Sequence, residues 1–231
     1  MHEAWRLSEP SVLEAIRAKV ASAPVVIADG HHRYEVALAF QAEQRACHGS
    51  ATAAWDAVMT YAVELSPRQL SVAAIHRLIR GLPERFDLLA ALSEWFEPAG
   101  TVPLDGTTRA RMVDAGALGL LTSTAAGVVL LRPRDKTVAA ADHDLDSSRL
   151  DVALAGLPAH ELIYEHDVEA LSAAVSASAP SAPSGLSAGV LLRPATVAQI
   201  AAVARDGDRM PPKTTFFTPK PATGMVFRRA G

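Results

Sequence analysis

The residues with the clearest chemical capacity in this sequence are five consecutive ones, DGHHR at positions 29–33. They combine a carboxylate, a conformationally permissive glycine, two titratable imidazoles and a guanidinium with a fixed fork of donors. The apolar run 24–28 precedes them, and apolar residues at helical spacing follow from His31 to about Cys47. Backbone N–H groups at the start of a helix attract anions. The sequence therefore predicts a phosphate-handling turn between a short strand and a helix.

Asp29 requires an explanation in such a turn, because a carboxylate and a phosphate at short range repel each other. It fits if it binds Mg²⁺, accepts a proton from a substrate hydroxyl, or caps the helix as its N-cap residue. A histidine-based metal site is the competing interpretation, although no established metal-binding spacing is present. Its candidate ligands are Asp29, His31, His32, His48, His143 and His160.

Two further segments carry polar groups in suggestive patterns. His76 and Arg77 stand together near the end of a predicted strand, 70–78, where a solvated strand end is the ordinary alternative. The segment 209–220, RMPPKTTFFTPK, places lysines and hydroxyls between prolines that stiffen the chain. Such an arm can close over a phosphate or another anionic substrate. The alternative is a terminal strand that packs through its two phenylalanines.

These motifs need elements to position them, and apolar periodicity and turn residues indicate both helices and strands. Their alternation favours an α/β or α+β protein, a mixed sheet flanked by helices. We expect one globular unit over 1–231, with a flexible Ser/Ala/Pro segment at 176–187. The predicted helices are 10–21, 31–47, 83–96, 148–175 with an interruption at 156–158, and 196–205. The predicted strands are 24–28, 58–63, 70–78, a hairpin over 119–131, 189–192 and 225–227.

Composition excludes several classes of protein. The formal net charge of −3 argues against a broad nucleic-acid-binding surface, and the single cysteine, Cys47, excludes an internal disulfide or a thiolate metal cluster. The first ten residues do not resemble a secretory signal, and no apolar stretch reaches the roughly 18 residues that a membrane span needs. We therefore expect a soluble cytoplasmic protein without a membrane or nucleic-acid partner.

Three motifs together point to a family. ADGHHRYE at 28–35, IHRL at 75–78 and MPPKTTFFTPK at 210–220 occur in the order that resembles the bacterial and archaeal family called domain of unknown function 1015. The turn is also similar to the nucleotide-binding turn of the ParB/sulfiredoxin superfamily, which includes free-serine kinases. This resemblance implies a ParB/sulfiredoxin-like strand–turn–helix around residues 24–47.

The resemblance also implies a function: a phosphotransferase that uses ATP, or binds ADP, with Mg²⁺. The acceptor would be a small hydroxylated metabolite, with free L-serine as the candidate. It implies that Asp29 and His32 are catalytic and that Asp29 holds the metal. The implied nucleotide contacts are Gly30, His31, His32, Arg33, His76, Arg77, Lys213 and Lys220.

One departure from the family pattern bears on catalysis. Only 28 residues precede the turn, where family members carry a substantial N-terminal region, so we expect that region to be missing. The upstream carboxylates are limited to Glu3, Glu9 and Glu14. A non-catalytic nucleotide-binding or regulatory module is therefore the alternative, and a nucleic-acid-associated protein is a third. A sheet edge left uncovered would favour a homodimer.

Overall fold

The computed structural model describes residues 3–49, 52–177, 186–220, 222 and 224–228. The chain divides into two compact units, one formed by Met1–Glu64 with Pro219–Gly231 and the other by Leu65–Thr218. The expected organisation as one globular unit stays a prediction. Most of the Ser/Ala/Pro segment expected to be flexible, 176–187, lies outside the described residues.

The first unit is helical. It contains α1 (Pro10–Ala21), α2 (His31–His48) and a single 3-10 turn, Ala54–Asp56. Pro10 occupies the first helical turn of α1, as predicted, because its missing N–H is not needed there. The strands predicted at 24–28, 58–63 and 225–227 are wrong, since no described residue of these runs is in a strand. An apolar run becomes a strand only where a neighbour completes its backbone hydrogen bonds.

The second unit is built on antiparallel sheets flanked by helices. Its strands are β1 (Ser71–Ala73), β2 (His76–Leu82), β3 (Phe96–Val102), β4 (Leu118–Thr122), β5 (Val128–Pro133), β6 (Glu161–Glu165), β7 (Leu186–Leu191) and β8 (Phe216–Thr218). Its helices are α3 (Leu88–Ser93), α4 (Thr108–Ala115), α5 (Asp135–Ala140), α6 (Asp146–Leu154), α7 (Val168–Ser176) and α8 (Val197–Arg205).

Six of these strands form one sheet in the order β3-β5-β4-β7-β2-β6, and β1 pairs separately with β8. Every strand pair in the described part of the chain is antiparallel, which corrects the expected mixed sheet and favours the α+β alternative. The reason lies in the connections: a short hairpin joins β4 to β5, and the other neighbouring strands come from separate parts of the chain and run back beside each other.

Two consecutive residues of β2 show that both faces of the six-stranded sheet are buried, because successive side chains of a strand point to opposite faces. Leu78 packs in a cluster with Leu171 and Val175 of α7, whereas Ile79 packs in a second cluster that includes residues of α3 and α6. A Cβ at Gly189 of β7 would lie 3.0 Å from Leu171 Cγ, so glycine there lets α7 approach the sheet closely. A hydrophobic cluster therefore packs on each face of the sheet.

The helices and strands of the second unit confirm some of the sequence predictions and correct the bounds of others. The hairpin of β4 and β5 and the capping box of α8, in which Thr196 and Gln199 exchange hydrogen bonds, are confirmed. The helix predicted over 83–96 is shorter, because β3 begins at Phe96. The strand predicted at 70–78 is split between β1 and β2. The helical region predicted over 148–175 is interrupted by β6, which pairs with β2 at the edge of the sheet.

Candidate functional site

The turn at 29–33 leads into helix α2 as predicted, but the N-cap residue of the helix is not the predicted one. Gly30 is the N-cap residue and adopts the left-handed conformation, with φ 86°. The prediction that Asp29 is the N-cap is wrong: Asp29 Oδ1 accepts instead from the Gly30 N–H, at 2.9 Å, one residue before the helix. No side chain caps α2 within the described structure. Its first N–H groups, at the positive end of the helix dipole, are therefore open to an external anion.

Two cations flank Asp29. Arg33 Nη2 and Lys220 Nζ each lie 3.7 Å from Asp29 Oδ2, and all three side chains are more than half exposed. Arg33 folds back over Gly30, where a Cβ would stand 2.9 Å from its Nη2. Lys220 is the last residue of the motif at 210–220. The first unit therefore brings the end of this motif next to the start of the motif at 28–35. The arrangement carries net positive charge beside a helix N-terminus.

The two histidines of the turn have different surroundings. His32 is fully exposed, and its Nδ1 lies 3.4 Å from Glu35 Oε2 on the next helical turn. His31 is half-buried. The catalytic role expected for His32 and the phosphate contacts expected for both stay predictions.

A histidine-based metal site does not form in the part of the chain that the structure describes. No group of three or more histidine, cysteine, aspartate or glutamate side chains is placed there to hold a metal ion. Two of the more distant candidates have other neighbours. His48 lies 5.7 Å from the Trp55 ring, and His160 Nδ1 is 2.8 Å from the Pro158 carbonyl oxygen.

His76 and Arg77 belong to the second unit and are buried, with only 8% and 2% of their surface exposed. His76 Nδ1 accepts from the Leu192 N–H at 3.1 Å. Burial, followed by the charge of Arg77, lowers the pKa of His76 to about 4. The expected contact of this pair with a nucleotide stays a prediction, and the structure shows an internal partner for the imidazole.

Arg77 also has partners within its own unit. Its Nη1 donates to the Ile75 carbonyl at 2.7 Å, and its guanidinium carbon lies 4.6 Å from the centre of the Tyr164 ring. Burial lowers the pKa of the guanidinium, while the Asp151 carboxylate acts in the opposite direction. The solvated strand end considered for this pair is therefore wrong, because both side chains point into protein.

The tail motif 209–220 is divided between the units after Thr218. Lys213 is exposed and has φ 56°, a positive value found at no other non-glycine residue in the described ranges. Thr214 is buried, and its hydroxyl lies 3.0 Å from that of Ser147 in α6. Phe217 packs against a small apolar cluster beneath β8. The interpretation of this segment as a packed strand is confirmed for Phe216–Thr218.

A buried polar network at the start of α6 was missed by the sequence reasoning. Four successive residues, DSSR at 146–149, are all less than one-tenth exposed. Asp146 accepts from Arg193 Nε at 2.9 Å and Nη2 at 2.5 Å, and Arg149 pairs with Asp144. The hydrogen bonds that Arg193 donates to the Asp146 carboxylate raise the pKa of its guanidinium. The available signal was four polar residues in a row directly before an apolar helical pattern.

Comparison with known proteins places the chain in a family. A family model described as "Protein of unknown function (DUF1015)" matches residues 1–153, which include the turn at 29–33 and the pair His76–Arg77. No curated protein and no solved structure matches the chain. Among the described helices, none is both long and apolar enough to cross a membrane. Because the match spans 153 of the 231 residues, this chain belongs to the DUF1015 family of proteins of unknown function.

Proposed function

We propose that the turn at 29–33 binds the phosphates of ATP or ADP and that the protein transfers a phosphoryl group to a small hydroxylated metabolite, with free L-serine as the candidate. One observation carries the proposal. Asp29 lies between Arg33 and Lys220, each 3.7 Å from its Oδ2, at a helix start without a side-chain cap. Family membership does not supply an activity, so the support comes from this geometry and from the resemblance of the turn to nucleotide-binding turns.

The electrostatics of the turn favour a polyanion. Two cationic side chains stand against one carboxylate, and the N-terminal end of an 18-residue helix adds partial positive charge. Backbone N–H groups and a guanidinium fork make short, directional bonds to phosphate oxygens. Because Gly30 has no side chain, the Arg33 guanidinium can lie directly over its backbone. Arg33 and Lys220 would therefore hold the phosphates and orient them over the start of α2.

The donor set also suits Mg²⁺, which proteins commonly bind through one or two carboxylates together with phosphate oxygens and water. Asp29 supplies one such carboxylate, and the described residues gather no larger ligand group. When bound, Mg²⁺ neutralises phosphate charge. Asp29 would otherwise accept the proton of the acceptor hydroxyl, and His32, fully exposed, would donate hydrogen bonds to phosphate oxygens.

Isothermal titration with ATP and ADP, with and without Mg²⁺, tests the binding step. We expect Arg33→Gln and Lys220→Gln each to weaken affinity about tenfold, or about 1.4 kcal/mol, because each removes a charge-assisted contact. Arg17→Gln is the matched control, since Arg17 is an exposed arginine of the same unit that pairs only with Glu14 in the described structure. Equal affinity of the wild type and Arg33→Gln would refute the assignment.

A binding module without catalysis is the second candidate function. Asp29 favours it, because its carboxylate is already engaged by Arg33 and Lys220. Release of ADP in the presence of ATP and serine separates the two candidates. Steady release that Asp29→Asn abolishes supports the phosphotransferase, whereas tight ATP binding without release supports the module.

A further inference from the structure

A cleft of about 460 Å³ lies beside the start of α6, entirely within the unit Leu65–Thr218. Its volume is in the range of small-molecule sites. The nucleotide proposal does not use it. Its lining includes Asp142, His143, Ser148, Asp151, Arg209 and Pro211.

The two carboxylates of the cleft differ from their neighbours in the sequence. Asp144 and Asp146 are paired with arginines, Arg149 and Arg193. Asp142 and Asp151 make neither an ion pair within 4.0 Å nor a hydrogen bond in the described part of the chain. The carboxylates of Asp144 and Asp146 are therefore engaged within the protein, while the carboxylates that face the cleft keep their acceptor capacity for something else.

Ser148 gives an independent indication of a ligand. It is 6% exposed, and it lines the cleft. Within the described ranges its hydroxyl has no hydrogen-bond partner, whereas the hydroxyl of Ser147 next to it lies 3.0 Å from that of Thr214. A polar ligand in the cleft would supply the missing partner.

The surroundings of Asp151 favour a positive ligand. Partial removal from water raises the pKa of this carboxyl, and the nearby Asp142 raises it further, whereas Arg77 lowers it. A cation beside Asp151 would stabilise its ionised form. Arg209 adds one positive charge to the lining, which two carboxylates outweigh.

The geometry distinguishes an organic cation from a metal ion. Asp142, His143 and Asp151 line the same cleft, yet in the described structure no three such groups are close enough to hold one metal. An ammonium group has three donors that reach separate acceptors, and it needs no compact ligand shell. From these observations we propose that the cleft binds a small primary amine in its protonated form, with Asp142 and Asp151 as counter-ions and Ser148 as a hydrogen-bond partner.

The frame around the cleft is suited to hold such a ligand. Asp146 accepts from the Arg193 backbone N–H as well as from its side chain, which fixes the first turn of α6. The bond between Thr214 and Ser147 fixes the segment that supplies Pro211 and Arg209. Rigid support of this kind lowers the cost of ordering side chains when a ligand binds.

Titration of the whole chain with 1,4-diaminobutane tests the proposal, and 1,4-butanediol is the uncharged probe of the same length. We expect saturable binding of the diamine and none of the diol. Asp142→Asn and Asp151→Asn should each weaken the diamine at least tenfold, and Ser148→Ala several-fold. Asp114→Asn, which removes an exposed carboxylate of α4 in the same unit, should stay within twofold of the wild type.

Three results would overturn the proposal. They are the absence of saturable diamine binding, unchanged affinity in the Asp142→Asn variant, and saturable binding of inorganic phosphate that Arg209→Gln abolishes, which would make the cleft an anion site. Circular dichroism checks that each variant is folded. If the Asp151→Asn variant unfolds, the diamine affinities of Asp142→Asn and Ser148→Ala still test the proposal. Both residues can change without disturbing the Asp146–Arg193 pair.

Discussion

The chain contains two His-Arg pairs that look alike in the sequence and differ in the structure. His32 and Arg33 open helix α2 with both side chains exposed, and each pairs with a carboxylate one turn away along the chain. His76 and Arg77 begin strand β2 and are almost completely buried. Their partners are a backbone N–H, a backbone carbonyl and an aromatic ring.

The comparison shows that residue type alone does not make a binding site. A buried guanidinium or imidazole must find partners inside the protein, because loss of water is costly for a charged or polar group. An exposed pair at a helix start keeps its donors available for a ligand. We therefore expect the first pair to matter for nucleotide affinity and the second for folding.

The largest difference should come from replacing the two arginines by alanine. Arg77→Ala removes a buried side chain and leaves the Ile75 carbonyl and the Tyr164 ring without their contact, so we expect the free energy of unfolding to fall by about 3 kcal/mol. Arg33→Ala should change it by less than about 0.5 kcal/mol. Urea unfolding followed by circular dichroism measures both. A comparable loss of unfolding free energy in the two variants would contradict the assignment of Arg77 to folding and Arg33 to binding.

The histidines should differ in their effect on pH dependence. The pKa of His76 is about 4 in the folded protein and 6.5 for a free side chain, so between these values the unfolded chain binds the proton more tightly. Stability should therefore be highest above pH 6.5 and fall by up to about 3 kcal/mol as the pH drops to 4.

His76→Asn keeps an acceptor for the Leu192 N–H and removes the titration, so its stability should change less over this pH range. His32→Asn, at a fully exposed position, is the comparison variant. Urea unfolding at pH 7.0, 5.5 and 4.5 gives the three profiles. A His76→Asn profile as steep as that of the wild type would contradict the assignment.

The smallest expected effect is that of alanine at two glycines. It distinguishes a loss of stability through backbone strain from a loss of ATP affinity. Gly30 and Gly81 have φ of 86° and 78°, so alanine at either should cost about 1 kcal/mol of unfolding free energy. A Cβ at Gly81 meets nothing within 4 Å, whereas at Gly30 it would displace the Arg33 guanidinium. Only Gly30→Ala should therefore weaken ATP binding, measured by titration. Equal affinities in the two variants would argue against Arg33 as a phosphate ligand.

Local signals predicted local structure well. Pro10 marked the start of α1, Gly30 the start of α2, and Thr196 with Gln199 the start of α8, because capping and backbone freedom act within a few residues. Strands were less predictable, since a strand needs a partner. The apolar run at 24–28 has none in the described structure, while 161–165, read as helical, pairs with β2.

The candidate sites could likewise be predicted only where their residues are close together in the sequence. The turn at 29–33 was predictable because its groups are consecutive, and Lys220 was expected from its motif. The cleft was not, because Asp151 and Arg209 come together only through the folding of the second unit. Burial of His76 and Arg77 could not be predicted either, since it depends on β6 and β7, which come much later in the chain.

The place of β7 in the six-stranded sheet has a consequence for how the protein is made. This strand, Leu186–Leu191, lies between β4 and β2, although it is the last of the six to be synthesised. Until it leaves the ribosome, β2 and β4 each lack a neighbour on one side, and unpaired edges of this kind invite aggregation. The family match ends at residue 153, before β6 and β7, so its boundary falls within this one sheet. A fragment that ends there would keep β3, β5, β4 and β2, and it would lack β7, which lies between β4 and β2, as well as the edge strand β6.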